Sequence, residues 1–338
     1  MDLKEYLKAW FKWLAYEPQE MPKIGPKIVA IGGGTGLARL LEGLKNHTYN
    51  LSAIVTVYDS GGSTGRLRKE FNVPALGDIR NCLVALAEKE EAMRHIFDYR
   101  FGKGKGLIGH SLGNLLLTAI FKMSRNLQEA TEAASSILKI KGKVIPASLG
   151  NAHLWAELEN NKKIEGEANI PEKVVKLRSN INKIWLEPKQ SASPLALRQI
   201  KKADLILIGP GSLFTSVLPN FLVSGIKEAV NITQAKVIYI ANISQERGET
   251  MDFSIEDHID KLLDSGVMID ICLVNNQILK KTKRIADLGE IENITTAKRE
   301  YRGVKIKKAN LIDVKSPLYH NPEKLASAIL KLDGIEKK

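Results

Sequence analysis

The sequence predicts an α/β protein with a Rossmann-like parallel sheet, helices on both faces and a small antiparallel β insertion. Short apolar runs rich in β-branched residues alternate with segments of helical period, as in 27–31 followed by 37–45. Several of these runs end in glycine and polar residues. Residues 140–195 differ, with shorter strand-like pieces and hairpin-like turns. Continuous apolar strands that alternate with helices form parallel sheets covered on both faces.

The elements of the main domain follow one another from residue 26 to about residue 330. We expect buried strands at 27–31, 52–58, 203–208, 236–244 and 267–276, and helices at 37–45, 75–91 and 110–123. The insertion at about 140–195 interrupts this alternation. The pattern therefore predicts one nucleotide-binding domain with a β insertion, because a parallel sheet of this kind binds ligands beyond the carboxyl ends of its strands.

The chain ends are predicted to lie outside this domain. Residues 1–25 hold an amphipathic helix and a proline-containing linker, in which apolar residues recur at helical spacing and lysines occupy other faces. Two interpretations stay open for residues 1–16: a helix docked on the domain or a partner subunit, and a peripheral membrane contact. Residues 331–338 form a basic tail.

Composition narrows the class of protein. Of 338 residues, 44% are apolar and 26% charged, as in ordinary globular proteins. The net charge of +12 indicates an anionic partner, unless lysines on solvated helices account for it. No apolar stretch reaches the roughly 18 residues of a membrane span. Cys82 and Cys272 lie in apolar runs and are expected to be buried and reduced, which favours a cytoplasmic location.

The first glycine-rich loop follows the first strand. Its residues are Gly32, Gly33, Gly34, Thr35 and Gly36. Glycines there would let backbone N–H groups reach a phosphate, and the following helix would point its positive end at the same place. The alternative is a tight strand-to-helix turn without a ligand.

The second loop follows the second strand and carries both acid and base. Asp59 precedes Gly61 and Gly62, and Arg66 and Arg68 come next. The two arginines suit a phosphate or carboxylate, although they would also fit a solvated basic turn. Asp59 stands where a dinucleotide-binding fold places its ribose-binding acid, so an NAD(P)-dependent oxidoreductase is one open alternative.

Two more strand ends and two helix starts supply further polar candidates. The strand ends contribute Gly209, Gly211, Ser212, Asn242 and Phe253, and the helix starts contribute Asp78, His110 and Asn114. Helix capping would explain some of these residues without a ligand. Asp59, His110 and Asp78 are the candidates for acid–base chemistry. No basic–aromatic interleaving or recognised module predicts specific nucleic-acid binding.

The motifs in their order along the chain identify a family. KIVAIGGGTGLARLLEGLK, IVTVYDSGGSTGRLRKEF, PALGDIRNCLVALAE, GHSLGNLLLTAI, IGPGSLFTSVLPN and ANISQERGET together resemble the gluconeogenesis factor (YvcK-like) family. That family shares its fold with CofD, the 2-phospho-L-lactate transferase. The resemblance extends from residue 27 to about 330.

The resemblance implies a cytoplasmic regulatory protein that binds a nucleotide sugar such as UDP-N-acetylglucosamine and requires no cofactor. It would be linked to carbon metabolism, cell shape and cell-wall synthesis during gluconeogenic growth, through a regulatory protein partner and as a homodimer. The alternative implied by the transferase branch is magnesium-dependent transfer of a phospholactyl-type group, with Asp59 as a metal ligand. In the binding branch, Asn242 and Phe253 would contact the base or ribose.

Two positions depart from the family pattern. The family commonly has a second acid after the aspartate of the DDGG motif, whereas this chain has Ser60. That difference weakens the expectation of a magnesium site at Asp59. The binding branch often has a tyrosine near Phe253, and a phenyl ring lacks its hydroxyl.

Overall fold

The computed structural model describes residues 25–278 and 292–332. The predicted N-terminal helix at 1–16 and most of the predicted basic tail fall outside these ranges. Within them, the chain folds around one central sheet with helices packed against it.

The central sheet has eight strands in the order β10-β11-β9-β8-β7-β1-β2-β3. Neighbouring strands run parallel except for the edge pair β10 and β11. Its strands are β1 (Ile28–Gly32), β2 (Leu51–Val55), β3 (Lys143–Pro146), β7 (Leu205–Ile208), β8 (Lys236–Ile240), β9 (Ile271–Asn275), β10 (Glu300–Tyr301) and β11 (Val304–Ala309). The predicted Rossmann-like α/β class is confirmed.

Helices precede or follow most of these strands. They are α1 (Gly34–Leu44), α2 (Gly62–Phe71), α3 (Gly77–Leu86), α4 (Glu90–Asp98), α5 (Leu112–Met123), α6 (Leu127–Leu138), α7 (Asn169–Leu177), α8 (Pro194–Lys202), α9 (Leu218–Phe221), α10 (Ile226–Asn231), α11 (Ile255–Asp264) and α12 (Pro322–Leu332). A π-helical turn, Leu213–Val217, precedes α9. The helix α1 buries one apolar face while the strands are buried on both, which explains their different sequence periods.

The strand order reverses between β1 and β7. On one side of β1 lie β2 and then β3. On its other side lie β7, β8 and β9, in that order. The connections that leave the carboxyl ends of β1 and β7 therefore diverge. A crevice opens at such a switch point, and ligands of open α/β sheets bind there.

The antiparallel insertion is a three-stranded sheet in the order β5-β4-β6. Its strands are β4 (His153–Leu158), β5 (Lys163–Glu165) and β6 (Ile181–Glu187). Trp155 and Trp185 lie opposite each other and their rings stack with centroids 6.0 Å apart. The sheet is shorter than the predicted range of 140–195, because Lys143–Pro146 pairs in parallel with β2 and belongs to the central sheet.

Burial of the two cysteines agrees with the sequence pattern. Cys82 and Cys272 are both fully buried and neither forms a disulfide. Burial also raises the pKa of both thiols, because a low-dielectric surrounding disfavours the thiolate. None of the helices in the described ranges is both long and apolar enough to cross a bilayer.

Candidate functional site

A cavity of about 430 Å³ opens at the switch point between β1 and β7, and we call it the main cavity. Four segments line it: residues 33–36 with Arg39, residues 210–212 with Ser216, residues 242–247, and residues 318–320. The first three follow β1, β7 and β8, whose carboxyl ends meet at one edge of the sheet. The fourth lies just before α12.

The loop after β1 offers backbone N–H groups to the main cavity. The helix α1 begins at Gly34, and its N-cap residue Gly33 has no side chain with which to cap it. The first-turn N–H groups of Thr35 and Gly36 are therefore left for a ligand, at the positive end of the helix dipole. Gly36 also permits the loop to approach the β7 loop, since a Cβ atom there would lie 2.6 Å from the carbonyl oxygen of Pro210.

Hydrogen bonds between side chain and backbone join the loop after β7 to the loop after β8. The Asn242 side chain accepts a hydrogen bond from the Gly211 N–H and donates one to the Gly211 carbonyl, each at 3.1 Å. The Ser212 hydroxyl donates to Glu246. The β1 loop also contacts the β7 loop at Gly36. The three loops that follow β1, β7 and β8 are therefore held together around the main cavity.

Two carboxyl groups stabilise the π-helical turn behind this wall. Glu249 is buried and accepts hydrogen bonds from the Phe214 N–H and the Thr215 hydroxyl. Burial raises the pKa of Glu249 to about 8, with Glu246 nearby as the second cause. Burial likewise raises the pKa of Glu246. The wall therefore carries less negative charge near neutral pH than its two glutamates suggest.

Cationic side chains flank the main cavity. Arg39 forms an ion pair with Asp313 at 2.8 Å and lies over the Tyr319 ring, 5.2 Å from its centroid. Arg247 is exposed and forms no hydrogen bond or ion pair with the residues that the structure describes. His320 is buried, and burial lowers its pKa to about 4, so its ring is neutral at physiological pH. Arg247 is thus the cation available to an anionic ligand.

Seven predicted candidates line the main cavity. They are Gly33, Gly34, Thr35, Gly36, Gly211, Ser212 and Asn242. Gly32 and Gly209 lie directly behind it, where β1 and β7 approach: a Cβ atom on Gly32 would be 3.6 Å from the Gly209 Cα atom. Ligand contacts by these residues stay predictions, and the amide of Asn242 is already engaged with Gly211.

The loop after β2 forms a separate acidic cluster beside the β1 loop. Glu167 is hydrogen-bonded to Asp59, and burial together with the Asp59 charge raises the pKa of Glu167 to about 9. Burial and the same charge raise the pKa of Asp78 to about 7, although the Gly34 N–H donates to its carboxylate. Gly61 also donates its N–H to Asp59, at 2.7 Å. The cluster therefore holds protons at neutral pH.

Arg68 is held by protein groups, and its predicted phosphate contact stays a prediction. Its guanidinium donates to the carbonyl oxygens of Tyr58, Asp59 and Ala152 and to the Asn151 side chain, at 2.7 to 3.3 Å. These four bonds occupy its terminal N–H groups, and the side chain is buried. Arg68 ties the end of β2 to the start of β4.

Arg66 does not reach the main cavity either. It is exposed on α2, and its guanidinium donates to the Ile108 carbonyl at 2.8 Å. Gly62 starts the same helix with a φ of +45°, and no atom lies within 4 Å of where its Cβ would be. Phosphate contacts by Arg66, Gly61 and Gly62 stay predictions.

Three further candidates have structural partners instead of a cavity. The Asn114 amide donates to Thr64 and accepts from Arg80, in the first turn of α5. His110 is buried with its Nδ1 atom 2.9 Å from the Ser63 hydroxyl. Phe253 packs edge-on against Phe214, with ring centroids 6.1 Å apart, and its predicted contact with a base stays a prediction.

A resident magnesium ion does not fit the residues present. Magnesium needs several oxygen ligands in octahedral geometry. Within residues 25–278 and 292–332, no three His, Cys, Asp or Glu side chains are grouped so that they could hold a metal ion.

Sequence reasoning missed Arg39, Glu246, Tyr319 and His320 in the cavity wall. Arg39 is three residues after Gly36 on α1, so the helical period could have placed it beside the loop. Tyr319 and His320 lie in the connection between β11 and α12 and carry no glycine-rich signal. Their segment contacts α1 through the Arg39–Asp313 ion pair and the Arg39 guanidinium over the Tyr319 ring.

The fold and the site together define a class: an α/β protein with a polar, glycine-lined cavity at the switch point of its sheet. Residues 28–312 match the family described as 2-phospho-L-lactate transferase CofD. The chain belongs to this CofD family.

Relatives within the family are gluconeogenesis factors. The chain is 39% identical to the gluconeogenesis factor of Bacillus subtilis over 315 residues, which cover 91% of this chain and 98% of that protein. A relative from Aquifex aeolicus is 47% identical over 318 residues, covering 90% and 96% of the two chains. A crystal structure of a UPF0052 family protein from Bacillus halodurans superposes with a TM-score of 0.84 at 39% identity, covering 90% of this chain and 99% of the other.

Proposed function

We propose that this protein binds a nucleotide sugar of the UDP-N-acetylglucosamine type in the main cavity and acts as a cytoplasmic regulatory protein. The observation that carries the proposal is the N-terminus of α1, which faces a polar cavity at the switch point of the sheet and leaves the Thr35 and Gly36 N–H groups without a side-chain cap. Helix N-termini with glycine-rich approaches bind phosphate through backbone N–H groups. A diphosphate would lie along residues 33–36 and residues 211–212.

Charge and polarity around the cavity suit the rest of such a ligand. Arg247 would neutralise part of the diphosphate charge, because it has no acidic partner among the described residues. Ser216 and Gln245 offer hydrogen-bonding groups for hydroxyls. The Tyr319 ring is 41% exposed on the rim and backed by Arg39, so it can stack on a base. Tyr319 takes the place that the sequence suggested for Phe253.

The regulatory role is supported by the relatives. Proteins that match over nearly their whole length are named gluconeogenesis factors. We infer that occupancy of the main cavity reports nucleotide-sugar supply to a protein partner, with consequences for cell shape and wall synthesis during gluconeogenic growth.

Calorimetric titration with UDP-N-acetylglucosamine tests the proposal, with UDP, GDP and NAD as comparison ligands. We expect a dissociation constant on the order of micromolar, tighter than for UDP, unchanged by magnesium and with the ligand recovered intact. Absence of binding at millimolar concentration would refute it. Selective binding of NAD would instead indicate an oxidoreductase.

Group transfer of the 2-phospho-L-lactate transferase type is a second candidate, favoured by the acidic cluster beside the β1 loop. Asp78 has a pKa of about 7 and lies next to Gly33, whose Cβ position is 2.6 Å from an Asp78 oxygen. A carboxyl group poised near neutral pH can move a proton to or from an acceptor hydroxyl. Asp78→Asn would then abolish turnover of a nucleotide donor and leave its binding intact. No consumption of donor by the unaltered protein, with any acceptor alcohol tested, would eliminate this candidate.

A further inference from the structure

The segment between α4 and α5 forms an ordered loop, residues 99–109, which we call the basic loop. Hydrogen bonds close its base: Phe101 donates its N–H to the His110 carbonyl at 3.0 Å, and Gly109 donates to the Phe101 carbonyl at 2.8 Å. The Ser63–His110 contact and the Arg66–Ile108 hydrogen bond fasten it to α2. The loop is therefore a fixed projection of the domain.

Large apolar side chains are exposed on the basic loop. Tyr99 is 55% exposed, Leu107 41% and Ile108 56%. Ile96 on α4 and Leu116 on α5, the helices that flank the loop, are exposed as well. Single exposed apolar residues are ordinary, but a cluster rimmed by polar groups marks an interaction surface.

The charges of the basic loop all have one sign. It contains Arg100, Lys103 and Lys105, and residues 99–111 include no aspartate or glutamate. Lys103 and Lys105 are exposed and form no ion pair within residues 25–278 and 292–332. Arg66 adds a cation at its base. The partner of this surface must therefore be anionic and must accept aliphatic side chains.

We propose that the basic loop docks the protein on an anionic phospholipid surface. Leu107 and Ile108 enter the boundary between headgroups and acyl chains, Tyr99 lies at headgroup level, and the lysines contact the lipid phosphates. Protein interfaces are depleted in lysine at their centres, so the combination of lysine with leucine and isoleucine favours a membrane over a protein partner. The basic loop contributes no residue to the lining of the main cavity.

A site-specific label tests the proposal directly on the full chain. Cys82 and Cys272 are fully buried, so a cysteine introduced by Ile108→Cys can be labelled selectively with an environment-sensitive dye. We expect a blue shift with phosphatidylcholine vesicles that contain phosphatidylglycerol, and none with pure phosphatidylcholine vesicles. The matched control is Ile232→Cys, whose side chain is 80% exposed elsewhere and should show no shift with either. A shift equal at both positions would overturn the proposal.

Vesicle co-sedimentation then separates the apolar and charged contributions. Replacing Lys103 and Lys105 by glutamine should weaken binding roughly 25-fold, since each lysine near an anionic surface contributes about fivefold. Leu107→Ser with Ile108→Ser should weaken it at least about tenfold without any change of charge. The controls are Ile232→Ser and the exposed pair Lys201→Gln with Lys202→Gln, which should bind as the unaltered protein does. Undiminished binding by the loop variants would refute the docking role, as would a dye shift that rises with protein concentration in the absence of lipid.

Discussion

The loops after β1 and β2 are alike in sequence and opposite in structure. Each leaves a buried strand through glycines and enters a helix whose N-cap is a glycine. The β1 loop lines a cavity and leaves N–H groups for a ligand. The β2 loop and the helix α2 after it direct Asp59 and Arg68 at neighbouring protein groups.

Their places in the strand order explain the difference. β1 stands at the switch point, where the next connection departs in the opposite direction and leaves a crevice. β2 lies between β1 and β3, and the residues after β3 continue over it and supply carbonyl acceptors to Arg68. A glycine-rich loop thus becomes a binding loop by its position in the sheet, whereas its composition only permits that role.

The largest effect should come from Arg68 and should concern stability alone. Arg68→Met would leave the Tyr58, Asp59 and Ala152 carbonyls without their donor. We expect a loss of about 3 kcal/mol in the free energy of unfolding, measured with urea, and unchanged nucleotide affinity in the folded protein. Arg66→Met, which removes one hydrogen bond from an exposed side chain, serves as the control. A variant of normal stability with lost affinity would place Arg68 in the binding site after all.

Alanine at Gly36 in the β1 loop and at Gly62 after the β2 loop should affect ligand affinity differently. Gly36→Ala would force apart the β1 and β7 loops, because the added Cβ meets the Pro210 carbonyl at 2.6 Å. We expect affinity for the nucleotide sugar to fall about 100-fold, which is roughly 2.7 kcal/mol, by calorimetric titration. Gly62→Ala meets no atom within 4 Å and should alter only stability, by about 1 kcal/mol through its positive φ. Equal losses of affinity in the two variants would contradict the division between the loops.

Arg247 should behave in the opposite way to Arg68. Arg247→Ala removes an exposed cation without a described partner, so the free energy of unfolding should not change. Affinity for a nucleoside diphosphate sugar should fall about tenfold, and the loss should shrink at high salt because the contact is electrostatic. Arg198→Ala, an exposed arginine on α8 away from the cavity, is the matched control. Unchanged affinity would show that the backbone N–H groups hold the diphosphate without this side chain.

The last prediction concerns the pH dependence of stability. The pKa of Glu249 is raised from 4.5 to about 8, so the folded protein holds a proton that the unfolded chain has released. The associated stability is complete below about pH 4.5 and is lost as pH rises towards 8. Glu249→Gln keeps the shape of the side chain and should flatten the slope between these values by up to about 1.4 kcal/mol per pH unit. Urea denaturation at several pH values measures this, and an unchanged slope would mean that Glu249 is ionised in the folded protein.

The sequence was sufficient to predict the buried strands and the meeting of their loops at one edge of the sheet, because both follow from local residue patterns. Strands such as Ile28–Gly32 are uniformly apolar because both faces are covered, and the loops that leave them must meet at one edge. That rule correctly brought Gly33, Gly211 and Asn242 together.

The sequence was not sufficient where the partner is distant or is backbone. Arg68 looked like an anion-binding residue, but its acceptors Asn151 and Ala152 are 83 and 84 residues away. The residues around Arg68 in the sequence do not show which distant backbone carbonyl oxygens will accept its hydrogen bonds. Phe253 likewise packs against a residue distant in sequence, Phe214, whereas the exposed ring on the cavity rim is that of Tyr319.

The ion pair between Arg39 and Asp313 joins residues 274 positions apart in the chain. Closing such a distant contact costs chain entropy. We therefore expect the wall formed by residues 318–320 to assemble late in folding. A nascent chain would complete β1, β2 and the antiparallel sheet well before it could retain a ligand. Binding competence should therefore appear abruptly during synthesis, and the ligand would act as a selective stabiliser of fully folded molecules.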